Sequence, residues 1–346
     1  MSFTIIRNDI AAVRADAIVN AANHAPAIGS GVDARLHLAA GPQLLEARKK
    51  IGFLSPGEAA VTEAFALPAR FVIHAVTPHW ENGAKMEAQL LRRAYDRCLE
   101  LAVQQDCRSI ACPLLAAGHH GFPRELALRI ATSAFRDFLE KQELEIILVV
   151  FDRESFQISK ARFLEVSACI DDALAETTAM FETLPESRDR NRNRYPRQAC
   201  ALPDESAVLS PSVPAFPTIS SSPAPDLQEL LREQDAGFAE TLVSLIEKSG
   251  KKNSEIYKKA NVDKKLFSKI VNNIHYHPSK PTAVAFAIAL ELDLEQTKDL
   301  IGRAGFALTH SSKFDIIIEY FIRNHNYDLF EINEVLFSFD QVLLGV

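Results

Sequence analysis

The segment from residue 16 to residue 41, DAIVNAANHAPAIGSGVDARLHLAAG, joins an apolar strand to a helix through a polar turn with two glycines. Ile18 and Val19 are typical of a buried strand, and Gly29 and Gly31 allow the backbone to approach another group closely. A helix that begins directly after such a turn offers free N–H groups and the positive end of its dipole. The segment therefore predicts an α/β fold with an anion-binding turn.

Short apolar or β-branched runs alternate with amphipathic stretches over residues 1–174. We predict strands near residues 3–7, 16–20, 58–65, 70–76, 109–115 and 145–151. We predict helices near residues 32–51, 84–105, 123–141 and 154–174. This alternation indicates a three-layer α/β/α domain with a mixed, largely parallel sheet and helices on both faces.

The rest of the 346-residue chain differs in composition from this first part. Residues 175–225 are rich in arginine, proline and serine, which predicts a flexible, disordered linker that buries no core. Helical periodicity resumes over residues 226–346, which we expect to form a separate all-α domain. The chain length agrees with two domains.

Composition excludes several classes of protein. The N-terminus lacks a basic start followed by an apolar core, and the longest apolar runs, such as AVAFAIAL at 283–290, are too short to span a bilayer. We therefore expect a cytoplasmic protein without a membrane partner. The five cysteines form no CxxC pair, so we predict neither a disulfide framework nor a metal site, and no cofactor.

Four further motifs follow the first one along the chain. They are GEAAVTEAFALP at 57–68, RFVIHAV at 70–76, SIACPLLAAGHHGFP at 109–123 and EIILVVFD at 145–152. With the first segment, this ordered set resembles the macrodomain family, whose members bind ADP-ribose and in some branches hydrolyse it from proteins. The resemblance covers residues 1–174 and implies ADP-ribose or an ADP-ribosylated protein as the ligand.

The resemblance also implies the residues that contact the ligand. Asp16 matches the aspartate that contacts the adenine amino group, and Phe151 matches the aromatic ring on which the adenine stacks. A turn aspartate and a core aromatic are the structural alternatives for these two residues. The other implied ligand contacts are Ile18, Asn20, Gly29, Ser30, Gly31, Val32, Ala117, Gly118, His119, His120, Gly121 and Phe122.

Asn23, Asp33 and His37 match catalytic positions of the hydrolytic MacroD-type branch. Under this resemblance Asp33 would activate or polarise a water, Asn23 would position the distal ribose, and His37 would hold Asp33. The alternatives are a carboxylate that stabilises a helix N-terminus at Asp33 and a packed core histidine at His37.

Two loops depart from the family pattern. Ala117 stands where the family usually has serine or threonine, His120 replaces an aromatic residue, and residues 28–31 lack a run of four glycines. The neighbouring His119 and His120 fit a phosphate or solvent contact better than a metal. Two functions therefore stay open: a hydrolase of ADP-ribose esters of acidic side chains, or a non-catalytic ADP-ribose sensor coupled to the helical domain.

Residues 236–310 read as a series of short helices. The short connection Asn261-Val262-Asp263, with Asp263 as an N-cap, is typical of a helix-turn-helix, and the stretch resembles the Cro/Xre-like DNA-binding fold. Lysines are concentrated here, which fits contact with DNA phosphates, while the alternative is an interaction or dimerisation domain with a solvated lysine face. The candidate DNA-binding residues are Lys258, Lys259, Lys264, Lys265 and Lys269.

The final segment carries an apolar stripe at helical spacing. Its members are Phe314, Ile317, Ile318, Phe321 and Ile322. A stripe of this kind indicates packing within the chain or self-association through the C-terminal helices.

A third function stays open if the helical domain binds DNA. The protein would then be a nucleic-acid regulator in which the first domain is only regulatory.

Overall fold

The computed structural model describes residues 2–151, 160–182, 236–273 and 276–345. Most of the predicted linker, residues 183–225, lies outside the described residues. So does the start of the helix predicted over 154–174, whose described part continues to residue 182.

A six-stranded sheet forms the centre of the first part of the chain. Its strands are β1 (Ser2–Arg7), β2 (Ala17–Ala22), β3 (Ala59–Glu63), β4 (Phe71–Val76), β5 (Ser109–Pro113) and β6 (Glu145–Val150). They lie in the order β1-β6-β5-β2-β4-β3, and every pair is parallel except β3 with β4. The predicted mixed, largely parallel sheet is confirmed, and the loops that follow β1, β2, β5 and β6 meet at one edge.

Helices cover both faces of the sheet. They are the short 3-10 helix Ile10–Ala12 and α1 (Val32–Ala40), α2 (Pro42–Ile51), α3 (Glu87–Gln104), α4 (Arg124–Leu139) and α5 (Lys160–Glu182). Successive side chains of a strand point to opposite faces. Val19 accordingly packs in the core with α3 and α4, and Ile18 packs in a second core with Leu36 of α1.

The helix predicted over residues 32–51 is in fact two helices. Gly41 has a φ of +86°, which ends α1, and Pro42 begins α2. Proline is well tolerated in the first turn of a helix because its missing N–H would have no partner there. This break lets α2 leave the direction of α1.

The C-terminal part is helical, as predicted. Its helices are α6 (Phe238–Ser249), α7 (Asn253–Lys259), α8 (Lys264–Asn272), α9 (Lys280–Ala289), α10 (Leu294–Arg303), α11 (Lys313–Arg323) and α12 (Leu329–Ser338). Asp263 caps α8 by accepting a hydrogen bond from Leu266 N–H at 2.8 Å, as the sequence indicated. None of these described helices, nor those of the first part, is long and apolar enough to cross a bilayer.

These helices pack against the first part of the chain. Met1–Thr177 and Ala236–Val346 form one compact unit. Asn261, in the turn between α7 and α8, accepts from Phe3 N–H at 2.6 Å and donates to Phe3 C=O at 2.8 Å, so it pairs with the edge strand β1. Phe330 of α12 stacks on Phe3, with ring centroids 4.9 Å apart. The apolar stripe of α11 is buried within this same unit.

Candidate functional site

A cavity of about 500 Å³ opens at the edge of the sheet where the parallel strands end. The loops after β2 and β5 and the end of β6 line it. It brings together eleven of the residues predicted from the sequence: Asn23, Gly29, Ser30, Gly31, Val32, Asp33, Ala117, Gly118, His119, His120 and Phe151. Thr77, His79 and Arg124 also line it, although the sequence analysis missed them.

Asp33 lies in the first turn of α1 and is held from three sides. Its Oδ1 accepts from Asn20 Nδ2 at 2.6 Å, and its Oδ2 accepts from Gly29 N–H at 2.5 Å. His37, one turn later on α1, places Nε2 3.6 Å from Asp33 Oδ1. Because donors surround the carboxyl group, it is fixed as an acceptor at the wall of the cavity.

Asn20 and His37 do not line the cavity, in contrast to Asp33. Asn20 is fully buried in β2 and His37 is 6% exposed. Burial lowers the pKa of His37, the Asp33 carboxylate opposes this change, and Arg48 adds to it. Both residues therefore contact Asp33 on the side away from the cavity. For Asn20, the sequence had instead predicted a direct contact with the ligand.

Arg48 of α2 holds the loop that carries Asn23, and sequence reasoning missed it. Its guanidinium is almost fully buried and donates to the backbone carbonyls of Asn23 at 3.2 Å, His24 at 3.4 Å, and Gly52. Burial lowers the pKa of Arg48, and the charge of Asp33 opposes that effect. A buried arginine with three carbonyl partners restricts the loop strongly.

Both glycines of the first loop have a structural reason. Gly31 has a φ of +60°, a conformation that side chains rarely adopt. A Cβ at Gly29 would lie 2.6 Å from Asn23 Nδ2. A larger residue at Gly31 would therefore strain the backbone, and one at Gly29 would displace the side chain of Asn23.

The second loop faces the first across the cavity. His119 Nδ1 lies 3.5 Å from Ser30 Oγ, at the limit of a hydrogen bond. His120 Nδ1 lies 2.7 Å from Thr77 Oγ1, and its ring centroid is 4.1 Å from that of His79. Burial lowers the pKa of His120, and His79 adds to this effect.

Two predicted residues of the second loop stand behind it. Phe122 is buried and packs against Trp80, with ring centroids 4.9 Å apart. Gly121, with a φ of +72°, forms the turn that leads into Phe122. They shape the loop and do not line the cavity.

Asp16 lies at the head of β2, at the opposite edge of the sheet from the cavity, in contrast to the ligand contact that the resemblance implied. It precedes β2 and accepts from Arg108 N–H at 2.7 Å. Six strand residues at about 3.3 Å each separate the two edges by about 20 Å, and the cavity lies where β2 ends. Ile18 is likewise absent from the cavity because its side chain is fully buried in the core.

The lysines proposed for DNA binding are only partly available. Lys258 Nζ donates to Glu140 C=O at 3.4 Å, and Lys259 pairs with Glu291. The remaining three, Lys264, Lys265 and Lys269 of α8, are exposed, and Lys269 Nζ lies 4.8 Å from the ring centroid of Tyr276.

Comparisons with known proteins show the family of the first part of the chain. The Macro domain family model matches residues 19–131. A macro domain-containing protein of Methanosarcina mazei is 43% identical over 153 residues, which are 44% of this chain and 82% of that protein. An O-acetyl-ADP-ribose deacetylase of Citrobacter rodentium is 42% identical over 160 residues, 44% of this chain and 90% of the relative.

A solved structure of the Oceanobacillus iheyensis macrodomain with ADP is 34% identical, with a TM-score of 0.42 over 44% of this chain and 84% of that one. The sequence relatives establish the family, since this chain spans most of their length. The chain belongs to the macrodomain family, and the helical part from residue 236 onward lies beyond the family match.

Proposed function

We propose that the cavity binds ADP-ribose and that the protein hydrolyses ester-linked ADP-ribose. The observation that carries this proposal is the convergence of Asn23 and Asp33 on one cavity bounded by two glycine loops. In this arrangement the diphosphate lies between the loops, the adenosine lies toward β6, and the distal ribose lies beside Asn23 and Asp33.

The diphosphate site is supported by the geometry of the first loop. Gly31, the N-cap of α1, and Val32, its first residue, line the cavity where the helix dipole favours an anion. Gly118, where an added Cβ would meet nothing within 4 Å, leaves room on the opposite side. Backbone N–H groups from both loops would then share the negative charge.

Asp9 replaces Asp16 as our candidate for adenine recognition. It follows β1 at the same edge as the cavity, and the adjacent Asn8 N–H donates to Val150 C=O at 3.0 Å. Its carboxylate accepts from Arg35 Nε at 2.7 Å, and this bond lowers the pKa of Asp9. Phe151, 76% exposed at the cavity wall, offers an aromatic face to the base.

The proposed reaction assigns a role to each group at the distal ribose. Asn23 orients the ribose hydroxyls, and Asp33 accepts a proton from a water that attacks the anomeric carbon. The bond between that carbon and the ester oxygen breaks, and the carboxylate of the modified side chain leaves. His37 and Asn20 hold Asp33 and do not touch the substrate.

The test follows release of ADP-ribose from a glutamate-modified protein by chromatography, because this is the bond that the proposed attack at the anomeric carbon breaks. We expect turnover by the wild type and a loss of about 10²-fold in Asn23→Ala, since positioning a substrate contributes on this scale. Asp16→Asn, at the opposite edge, is the matched control and should be as active as the wild type. Wild-type protein that binds ADP-ribose but releases none over hours would favour the sensor.

The sensor is the second candidate, and the second loop favours it. Ala117 provides no hydroxyl and His120 no carbocyclic aromatic ring, so the distal ribose has a less complete enclosure than the family pattern provides. If turnover is absent, Ala117→Thr combined with His120→Tyr should restore measurable release. Failure of that variant in a protein that still binds ADP-ribose would assign the domain to binding alone.

We also propose a contact between α8 and duplex DNA, and the exposed lysines of α8 are the observation that supports it. Lys264 and Lys265 lie in its first turn, and their charges would neutralise phosphates and release counterions. Replacing both with alanine in the full chain should flatten the slope of log affinity against log salt by about one to two. Absence of salt-dependent retention of any duplex would assign the helices to a protein partner.

A further inference from the structure

A chain of buried polar side chains runs from β3 to Asp33. Thr62 Oγ1 of β3 lies 3.0 Å from His74 Nε2 of β4. His74 Nδ1 lies 3.2 Å from Asn20 Nδ2. Asn20 Nδ2 in turn lies 2.6 Å from Asp33 Oδ1. Asn20 and His74 are fully buried, so this chain reaches the cavity only at Asp33.

The donors and acceptors along the chain are consistent with one direction for every hydrogen bond. Asn20 Nδ2 carries two protons and gives one to Asp33 Oδ1, so its second proton points to His74 Nδ1. Nδ1 must then be the acceptor, and the proton of a neutral imidazole lies on Nε2. Thr62 agrees with this assignment because its hydroxyl donates to Glu63 C=O at 3.1 Å and is left to accept from His74 Nε2–H.

The ring of His74 stays neutral at the pH of ordinary assays. Burial lowers the pKa of His74 to about 3, and the nearby Arg48 and His37 add to this effect. The tautomer of His74, and not its charge, is therefore the property that its neighbours determine.

A reversed Asn20 amide would be unfavourable. It would place Oδ1 of Asn20 against Asp33 Oδ1, two acceptors at hydrogen-bond distance. In the observed orientation Asn20 Oδ1 has no hydrogen-bond partner among the described residues. Oδ1 therefore makes no hydrogen bond that could orient the Asn20 amide. The amide is oriented by the two hydrogen bonds that its Nδ2 donates, to Asp33 and to His74.

We propose that His74 is a positioning residue for Asp33. Held in the Nε2–H tautomer by Thr62, it orients the Asn20 amide, which in turn fixes the Asp33 carboxylate at the cavity wall. The effect on turnover rests on the proposed hydrolase function, whereas the tautomer and the amide orientation do not.

The kinetic test compares two replacements of His74. His74→Phe keeps a planar ring but removes the acceptor for Asn20, whereas His74→Gln keeps one acceptor and one donor. We expect His74→Phe to lower kcat by about 10- to 100-fold, the scale of a misplaced catalytic group, while the Kd for ADP-ribose changes less than about threefold, since diphosphate contacts are untouched. His74→Gln should recover most of kcat.

Thr62→Val is the companion variant, because it keeps the shape of the side chain and removes only the hydroxyl that selects the tautomer. We expect a smaller loss of kcat than in His74→Phe, with unchanged Kd. Unchanged kcat in His74→Phe would overturn the proposal. So would equal losses of kcat, affinity and thermal stability in both His74 variants, since these would indicate a purely structural role.

A spectroscopic measurement separates this proposal from the hydrolase function. In the full chain labelled with ¹⁵N-histidine and ¹⁵N-asparagine, we expect His74 to show a protonated Nε2 and an unprotonated Nδ1 from pH 8 to pH 5. Both Asn20 amide protons should exchange slowly in the wild type and faster in His74→Phe. A protonated Nδ1 would refute the chain of donors even if the protein hydrolyses its substrate. If the wild type shows the expected signals but no turnover, the hydrolase function fails and the positioning of Asp33 stands.

Discussion

The hydrogen bonds of Asp33 allow an estimate of how much stability its replacement by asparagine would cost. Both carboxylate oxygens accept a hydrogen bond, Oδ1 from Asn20 Nδ2 and Oδ2 from Gly29 N–H. An amide offers only one oxygen, so its NH₂ group must face one of these donors. One buried donor then loses its partner, which costs about 1–3 kcal/mol.

The same variant should lose turnover far beyond its loss of stability. The variant removes the group that we propose takes a proton from the attacking water, so we expect the rate to fall by about 10²-fold or more. The diphosphate contacts do not involve Asp33, and the Kd for ADP-ribose should change by less than about tenfold, the loss of one neutral hydrogen bond.

Urea unfolding, calorimetric titration with ADP-ribose and the release assay together measure the three effects in Asp33→Asn. Asp16→Asn is the control, because it makes the same chemical change at the opposite edge of the sheet. Turnover by Asp33→Asn within about threefold of the wild type would refute the role of Asp33. An unchanged free energy of unfolding would refute the hydrogen-bond geometry.

Three other predictions follow from the structure. Asn261→Ala should lower the free energy of unfolding by about 2–4 kcal/mol, since the backbone N–H and C=O of Phe3 each lose a buried side-chain partner, whereas Asn272→Ala at an exposed position of α8 should change it little in urea titrations. Asp9→Ala should weaken ADP-ribose binding about 10-fold and reduce discrimination against the hypoxanthine analogue; equal calorimetric affinities would reject this residue. Because the pKa of His74 is depressed in the folded state, the unfolded chain binds a proton first, and stability should fall below pH 6.5 by up to about 1.4 kcal/mol per pH unit. In denaturation at several pH values, His74→Gln should lack this contribution.

Sequence patterns predicted the elements of the fold well because hydrophobic periodicity reports directly on strands and helices. All six strands lie within a few residues of the predicted ranges. The break between α1 and α2 was missed, although Gly41 followed by Pro42 is a signal for a helix end and a new start.

The site was predicted where residues lie close in sequence and missed where they meet only in space. Asn23 and Asp33 share one loop and helix, so their convergence follows from the local pattern. Asp16 was misplaced because its position depends on which end of β2 carries the cavity. His74 and Arg48 lie in other elements, β4 and α2. The sequence alone does not show that a single histidine or arginine is buried beside a site.

The packing of the helical part on the sheet was also beyond the sequence. Linker composition favours independent domains, but it does not show whether a following domain has a complementary surface. Asn261 pairs with the edge strand through backbone atoms of Phe3, and backbone groups leave no trace in the side-chain pattern. The turn that precedes α8, the helix proposed to contact DNA, is therefore already in contact with β1.

Calorimetric titration of the full chain with ADP-ribose tests the central claim most directly. We predict one site per chain with a Kd in the micromolar range, near −8 kcal/mol. Gly118→Asp should abolish this heat, because its carboxylate would enter the cavity beside the diphosphate, and a Cβ there meets no atom within 4 Å. Gly302→Asp, at an exposed position with equal room for a Cβ, should bind like the wild type. Absence of binding by the folded wild type, or unchanged binding by Gly118→Asp, would contradict the account.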